Sequence, residues 1–454
     1  MTNKGGSNMT SVSTEHIKNT RNYLRKQTLQ MIINQFDSTL MQLTKSERKT
    51  KYSKMSESPF SFFRGSAYLY YYDVTQIPFH YHTPDDKPTW LMGDLHFDNF
   101  SAFRNEDGEN VFDVDDFDEG YLGSYLYDLL RMTVSVRLYA EDLGYSESDQ
   151  SKLVSTYIKN YVKQLQAFEN GEEKPVAFQF TDKNTKGPIK KRLKKLEDRS
   201  PTHSLNKQTH LNSDGERKFI RTGTKLNAIG EAEKTQVRKA WETYTKTLKD
   251  EIDESLRHYE IKDIVEKKGA GIGSTGLKRY LILVHGESAE DHLTDLILEI
   301  KEARTPIPAY FFPYDQAFWD TNKHEGLRVI KTQQAMHHKQ DPHLGYVTIG
   351  DKEFYVREKS PYTKEIEPKH IKEYKDLKQT VKTMAQISAK IHARADSDID
   401  HHYLTYHSET EILRVIDDWQ NLRNEVNEWA TFYQKRVKKD YDIFIEWCKE
   451  KNYI

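Results

Sequence analysis

The chain has 454 residues, 36% of them apolar and 30% charged, which allows one large or two medium globular units with ample core. Its 68 Lys and Arg stand against 70 Asp and Glu, so a global polycation for nucleic acid is not indicated, and only local basic patches stay open. A single cysteine, Cys448, excludes an intrachain disulfide and a cysteine metal cluster and fits a reducing cytosol. No apolar run approaches membrane-spanning length and residues 1–12 are polar, unlike a signal peptide, so a cytoplasmic protein without membrane contact is expected.

Residues 1–12 read as disordered. From Thr14 to about Lys45, apolar positions such as Ile17, Leu24, Leu29, Ile32 and Phe36 suit an amphipathic helix. Ser58-Pro59 breaks the chain before Phe60-Ser61-Phe62-Phe63-Arg64-Gly65. Arg64, expected on a strand or turn, either clamps a phosphate bidentately or pairs with a carboxylate such as Asp73. Tyr68, Tyr70, Tyr71 and Tyr72 read as core. Two short apolar runs, Trp90–Met92 and Val111–Val114, read as strands, and each borders an acidic cluster: Gly93-Asp94-Leu95-His96-Phe97-Asp98-Asn99 and Asp113 to Glu119. Strands ending in carboxylates put oxygen ligands on rigidly positioned loops, and oxygen is what a hard cation such as Mg²⁺ prefers. Asp- and Asn-rich surface turns are the bland alternative.

Tyr125–Tyr139 reads as a buried helix carrying Asp128 and Arg131, and a second helix spans roughly Ser146–Asn170. Residues 181–235 are polar and locally basic (KKRLKKLEDRS). A solvated helix and loop explains them most simply, and approach to an anionic substrate is the other reading. Helical spacing returns over Ala232–Val265. Gly271, Gly273 and Gly276 then match Gly-x-Gly-x-x-Gly. A dinucleotide fold needs a helix directly after such glycines. Here a strand, Tyr280–Val284, follows, as in kinases, where the loop covers the phosphates of ATP. The next strand, Leu296–Lys301, ends in a lysine; an exposed lysine on an ordinary meander is the plain alternative. Phe354–Glu358 reads as a strand entering a hinge, Lys375–Ala395 as a long helix ending ISAKIHARADSD, and Glu409–Lys451 as closing helices.

Gly93-Asp94-x-His96-x-x-Asn99, then Asp116-Phe117-x-Glu119, Gly123 and Tyr127-Asp128-Leu129, resemble the catalytic core of the aminoglycoside-phosphotransferase and choline-kinase group. The resemblance implies Asp94 as the base near an acceptor hydroxyl, with His96 organising the same catalytic loop by hydrogen bonding. It implies Asn99, Asp116 and Asp118 as metal ligands and Asp128 as a brace. Lys301 and the amides of Gly271, Gly273, Ser274 and Gly276 would hold phosphates, with Gln333 or Glu302 as candidate partners of the lysine. In that group a helix ending Ile-His precedes the catalytic loop, whereas here it lies near the C-terminus. Rotating the order restores the kinase arrangement. The implied fold is therefore α+β, protein kinase-like and two-lobed but circularly permuted. Residues 1–57 form a tail and helix; 58–265 carry the catalytic and metal loops of a large helical lobe. Residues 266–360 form a small, mostly five-stranded antiparallel β lobe, and 361–454 complete the large lobe. More closely, SPFSFFRG, GDLHFDNF and VFDVDDFDEG together resemble the bacterial DUF2252 family, a label that names no activity.

The expected function is phosphoryl transfer from ATP to an unidentified hydroxyl acceptor with Mg²⁺, because such chemistry needs mainly positioning and charge neutralisation. Nucleotidyl (AMP) transfer on the same fold and a non-catalytic nucleotide-binding regulator are the alternatives. Asp94-Leu95-His96 also resembles the first element of a binuclear metallophosphoesterase, but the later Gly-Asp-x-x-Asp and Gly-Asn-His elements are missing. His337-His338 and His401-His402 lack a zinc framework, and no Gly-x-Ser-x-Gly elbow occurs. Nothing in the sequence bears on oligomeric state.

Overall fold

The computed structural model describes residues 6–105, 107–200, 202–248, 259–269, 271–286, 294–338, 341–360, 362–399 and 404–454, with side chains from residue 13. The chain divides into two units. One takes residues up to Pro78, Gly271–Gly276 and Phe432–Ile454; the other takes Phe79–Ala270 and Leu277–Thr431.

The first unit is helical. Helix α1 (Gly6–Asn34) continues through a π-helical turn over Gln35–Leu40, and α2 (Lys45–Met55), α3 (Pro59–Gly65) and α4 (Ala67–Val74) follow. Within 1–12, where disorder was expected, the helix begins at Gly6, because no proline or further glycine interrupts it before Asn34. Arg64 sits on a helix, not on a strand or turn. Ser58 caps α3 by accepting the Ser61 N–H at 3.1 Å, and Pro59 occupies the first turn, where its missing donor is harmless. The tyrosine-rich α4 buries Tyr70 and Tyr71 as expected of core.

The Asp73 carboxylate takes Arg25, not Arg64: Arg25 donates to both its oxygens at 2.9 and 2.7 Å and to Asp440 at 2.8 and 2.5 Å. Tyr433 adds its hydroxyl to Asp73 at 3.0 Å. One guanidinium thus bridges two buried acids, and Arg436 adds a second cation 3.3 Å from Asp73.

The second unit holds the sheets. Strand β1 (Thr89–Leu91) pairs with β4 (Tyr121–Gly123), and β2 (Phe100–Arg104) pairs with β3 (Asn110–Val114). Helices α5 (Leu126–Asp142), α6 (Glu147–Glu169), α7 (Gly187–Glu197) and α8 (His203–Gln208) follow, then a hairpin of β5 (Thr209–Leu211) and β6 (Arg217–Phe219). The main sheet collects β7 (Leu226–Asn227), β8 (Ile261–Lys267), β9 (Arg279–Val284), β10 (Leu296–Glu302), β11 (Gly345–Ile349) and β12 (Lys352–Glu358) in the order β11-β12-β10-β9-β8-β7, every pair antiparallel. Helix α9 (Glu231–Tyr244) lies between β7 and β8 in the chain. Helices α10 (Gln316–Thr321) and α11 (Glu325–Met336) lie between β10 and β11. Strand β13 (Thr363–Glu365) joins the edge of β2, α12 (Tyr374–Arg394) and α13 (Ser408–Val415) follow, and α14 (Trp419–Glu450) closes the chain, its part from Phe432 onward belonging to the first unit.

The sheet has six strands, not five, and it begins earlier than expected. Residues 261–265, read above as helical, are strand β8, where β-branched Ile261, Ile264 and Val265 suit a pleated surface better than a helix. Both faces are covered. Tyr280, Ile282, Val284, Leu298 and Ile300 pack against Val237, Trp241 and Tyr244 of α9, while Leu281, Leu283 and Ile297 pack against Leu205 and Phe219. The period of two therefore puts Ile297, Glu299 and Lys301 of β10 on one face, away from α9. The chain is an α+β protein with antiparallel sheets. Among the described residues no helix is long and apolar enough to cross a membrane.

Arg25→Ala should destabilise the fold by about 3–5 kcal/mol, because two buried carboxylates lose their shared guanidinium and, among the described residues, only Arg436, 3.3 Å from Asp73, is left beside them. Burial already holds Asp440 above the usual carboxylate range even with Arg25 beside it. The deficit should therefore be largest at neutral pH and shrink as the pH falls and the acid protonates. Urea unfolding of wild type and variant at pH 7 and pH 4.5 checks this; an equal deficit at both would contradict it.

Candidate active site

The first acidic cluster forms the turn between β1 and β2. Gly93 has φ +77°, and a Cβ there would lie 2.0 Å from the Glu119 carbonyl oxygen, so the two acidic segments cross where only glycine fits. The amides of Met92 and Gly93 donate to the buried Asp128 carboxylate at 2.8 and 3.1 Å. His392 of α12 lies 3.3 Å from the same carboxylate, and its other ring nitrogen lies 2.7 Å from the Tyr161 hydroxyl of α6. Three helices thereby fix the turn.

Arg131 stands one helical turn beyond Asp128 on α5, on the same side. Its Nε donates to Asp94 Oδ1 at 2.5 Å, and its Nη2 contacts the same oxygen. Asp94 Oδ2 lies 3.9 Å from His96 Nε2. The Arg131 side chain is 0% exposed while that of Asp94 keeps 23%, so a buried cation orients a carboxylate that still meets solvent. Asn99 Oδ1 accepts the His96 N–H at 2.7 Å, which makes Asn99 the fastener of its own loop.

In the second cluster, Asp113 pairs with Lys390 of α12. Lys301 reaches in from β10, forming an ion pair with Asp118 and lying 3.5 Å from Asp116 Oδ1. Its side chain is 3% exposed, so the plain reading of an exposed meander lysine fails, whereas that of Asp116 is 52% exposed. Burial alone would discharge Lys301, but Asp116 and Asp118 hold it protonated above its ordinary range. Burial likewise works against the Asp118 charge, and Lys301, then Arg279, overcome it and keep that carboxyl below the usual range. Asp118 Oδ1 is buried with no hydrogen-bond partner among the described residues.

Arg328 of α11 donates to the carbonyls of Asp118 and Gly120 at 2.7 and 2.9 Å, tying the acidic segment to the helix that follows β10. Glu119 accepts the Ile307 N–H at 2.5 Å. Burial, reinforced by the charges of Asp94 and Asp118, pushes its carboxyl up to about 8. Of the candidate partners of Lys301, Glu302 points to the opposite face of β10 and takes Lys352 at 3.0 Å and Arg304 at 3.0 Å. Gln333 lines a cavity of about 460 Å³ with Glu299 and Arg357. The carboxylates that meet Lys301 come from the second acidic cluster itself.

Asp94, His96, Asn99, Asp116, Asp118 and Lys301 thus belong to one unit, whereas Gly271, Gly273, Ser274 and Gly276 belong to the helical one. There the Gly271 carbonyl accepts from Lys54 at 2.9 Å, and a Cβ on Gly276 (φ +84°) would lie 2.2 Å from Leu43 Cδ2. His337 is a core residue. Its Nε2 lies 2.7 Å from the Val114 carbonyl, and burial pushes its pKa down to about 4. His401-His402 lies outside the described residues. Sequence reasoning assigned no role to Arg131, Arg328 or Lys390. Only Arg131 carried a signal, its spacing of three from Asp128.

Fold and site together define an α+β protein with two crossing acidic segments and a strand lysine paired with the carboxylates of the second. Over residues 44–447 the chain matches the family described as "Uncharacterized protein conserved in bacteria (DUF2252)", and it belongs to that family. No curated protein and no solved structure matches it.

Asp128→Ala should leave the Met92 and Gly93 amides buried without an acceptor, at about 1–3 kcal/mol each. Hydrogen exchange over residues 92–99 should then speed up by about tenfold or more at that energy. Unchanged exchange in a folded variant would mean the turn is held by other contacts.

Proposed function

We propose that the protein is a Mg²⁺- and ATP-dependent phosphotransferase with a permuted, kinase-like arrangement. The observation that carries this reading is Lys301 meeting Asp118 and Asp116 across 185 residues of sequence, a cation from a sheet beside two hard oxygen donors. Two further features support it. The order β11-β12-β10-β9-β8, with α11 between β10 and β11, suits a kinase-like small lobe. The helix expected to precede the catalytic loop carries His392 to Asp128 from 264 residues away, which is what a permuted chain requires.

The donor set fits Mg²⁺: a half-exposed Asp116 and an Asp118 oxygen that lacks a partner, with Asn99 limited by its bond to His96. Bound there, the ion supplies charge neutralisation for phosphate oxygens. Lys301 contributes a second cation for the same oxygens. In this reading Asp94 Oδ2 orients an acceptor hydroxyl and takes its proton, while Arg131 holds Oδ1. Asp116 and Asp118 would hold the cation and Lys301 the phosphate oxygens, so the Lys301–Asp118 ion pair would have to loosen on loading.

One observation favours nucleotidyl (AMP) transfer as a second reading. On the same face as Lys301, buried Glu299 is ringed by Lys267 at 2.9 Å, Arg357 at 3.1 Å and Arg279 at 3.4 Å. Asp115 and Glu358 line the same cavity, and burial first, then neighbouring acids, push them up to about 7 and about 8. Arg104, Lys267, Arg279, Arg357 and Lys359 line that cavity together with five acids, so cationic side chains that could meet phosphate oxygens stand there beside the Lys301 pair. Product mass separates the two reactions.

Asp94→Asn should retain Mg²⁺-ATP binding by calorimetry and lose about a hundred- to ten-thousandfold in turnover once an acceptor is found. Lys301→Met and Asp116→Asn should both weaken binding, and Asp116→Asn should also raise the Mg²⁺ requirement. Wild-type behaviour in all three variants would sink the enzyme reading, and binding without turnover on any acceptor would leave a nucleotide-binding regulator.

A further inference from the structure

A second cavity of the sheet unit, about 840 Å³, is lined by Arg199, Lys207, Lys225, Lys267, Lys268 and Lys359. No Asp or Glu lines it, although acids outnumber bases in the chain as a whole. Some of these cations have partners nearby: Lys267 pairs with Glu299 at 2.9 Å and Lys268 with Glu266 at 3.2 Å, and Arg199 donates to the Thr363 carbonyl at 3.2 Å. Lys207, Lys225 and Lys359 meet no carboxylate within ion-pair distance among the described residues. Burial and the neighbouring Lys267 pull Lys359 down to about 8, even though Glu299 works the other way. Like charges gathered in this way repel one another until an anion joins them.

The rest of the lining narrows the anion. Ser204, Thr222, Thr224 and Ser360 offer hydroxyls, neutral donors suited to phosphate oxygens. Ile220 is the only large apolar side chain in the lining besides Leu226, and no aromatic ring other than the His203 imidazole is present on which a base could stack. The volume is that of a small-ligand site.

We propose that this basic trough binds a small molecule carrying a chain of phosphates, at a place separate from the Lys301–Asp118 pair. The trough shares Lys267, Lys359, Ser360 and Thr363 with the charged cavity beside Glu299, so its ligand would sit at the mouth of that cavity. The inference stands on the lining alone and holds whether or not the phosphotransferase reading does.

The test is calorimetric titration of the full chain with sodium tripolyphosphate in Mg²⁺-free buffer. Wild type is compared with Lys207→Gln/Lys225→Gln and with Lys301→Met. Both trough lysines are exposed, so the double variant keeps its fold, which circular dichroism verifies. Removing a charge-assisted hydrogen bond at each of two positions should raise Kd by about tenfold or more, and Lys301→Met should leave it unchanged. Equal affinity in the double variant, or no binding by wild type, would overturn the proposal. Loss of binding in Lys301→Met with none in the double variant would assign the anion to the candidate active site instead. A short single-stranded RNA that binds more tightly than tripolyphosphate and displaces it would show the ligand class to be wrong.

Discussion

The buried carboxylate of Asp128 is the fixed point of the sheet unit. It accepts two consecutive amides of the first acidic turn and stands beside His392, so a loop, α5 and α12 meet at one charge. A carboxylate so placed is costly to bury unless its lone pairs are used, and here they are. Arg131, one turn along the same helix, then sets the orientation of Asp94. The geometry of a partly exposed acid thus follows from a fully buried one.

The second acidic segment is held by cations on different elements. Lys390 of α12 takes Asp113, Arg328 of α11 takes the carbonyls after it, and Lys301 of β10 takes Asp118. Because Gly93 passes against the Glu119 carbonyl, the two segments act as one body. On that body the Asp94 and Asp116 side chains keep substantial exposure, 23% and 52%.

Much of this was legible in the sequence, and the misses have physical reasons. Short apolar runs bordering acids gave β1 and β3, and Asp128 was expected as a brace from a resemblance in its motif alone. Residues 261–265 read as helix because the polar residues between their apolar positions blur a period of two. Phe60–Gly65 looked like a strand or turn because it is aromatic, yet a Ser-Pro start is a helix start. The partner of Lys301 was sought on a neighbouring helix or the adjacent residue, but alternation sends Glu302 to the other face. Arg328 and Lys390 act through contacts that no local pattern encodes.

The pairing of early acids with late cations also has a meaning in time. Asp113 is separated from Lys390 by 277 residues and Asp128 from His392 by 264. At about 5–20 residues per second, a ribosome takes about 13 to 55 s to travel that far. Throughout that interval the acidic turns exist without the groups that later hold them. The nascent chain therefore carries an unassembled anionic segment, and the site is completed only when the helix ending at Arg394 emerges.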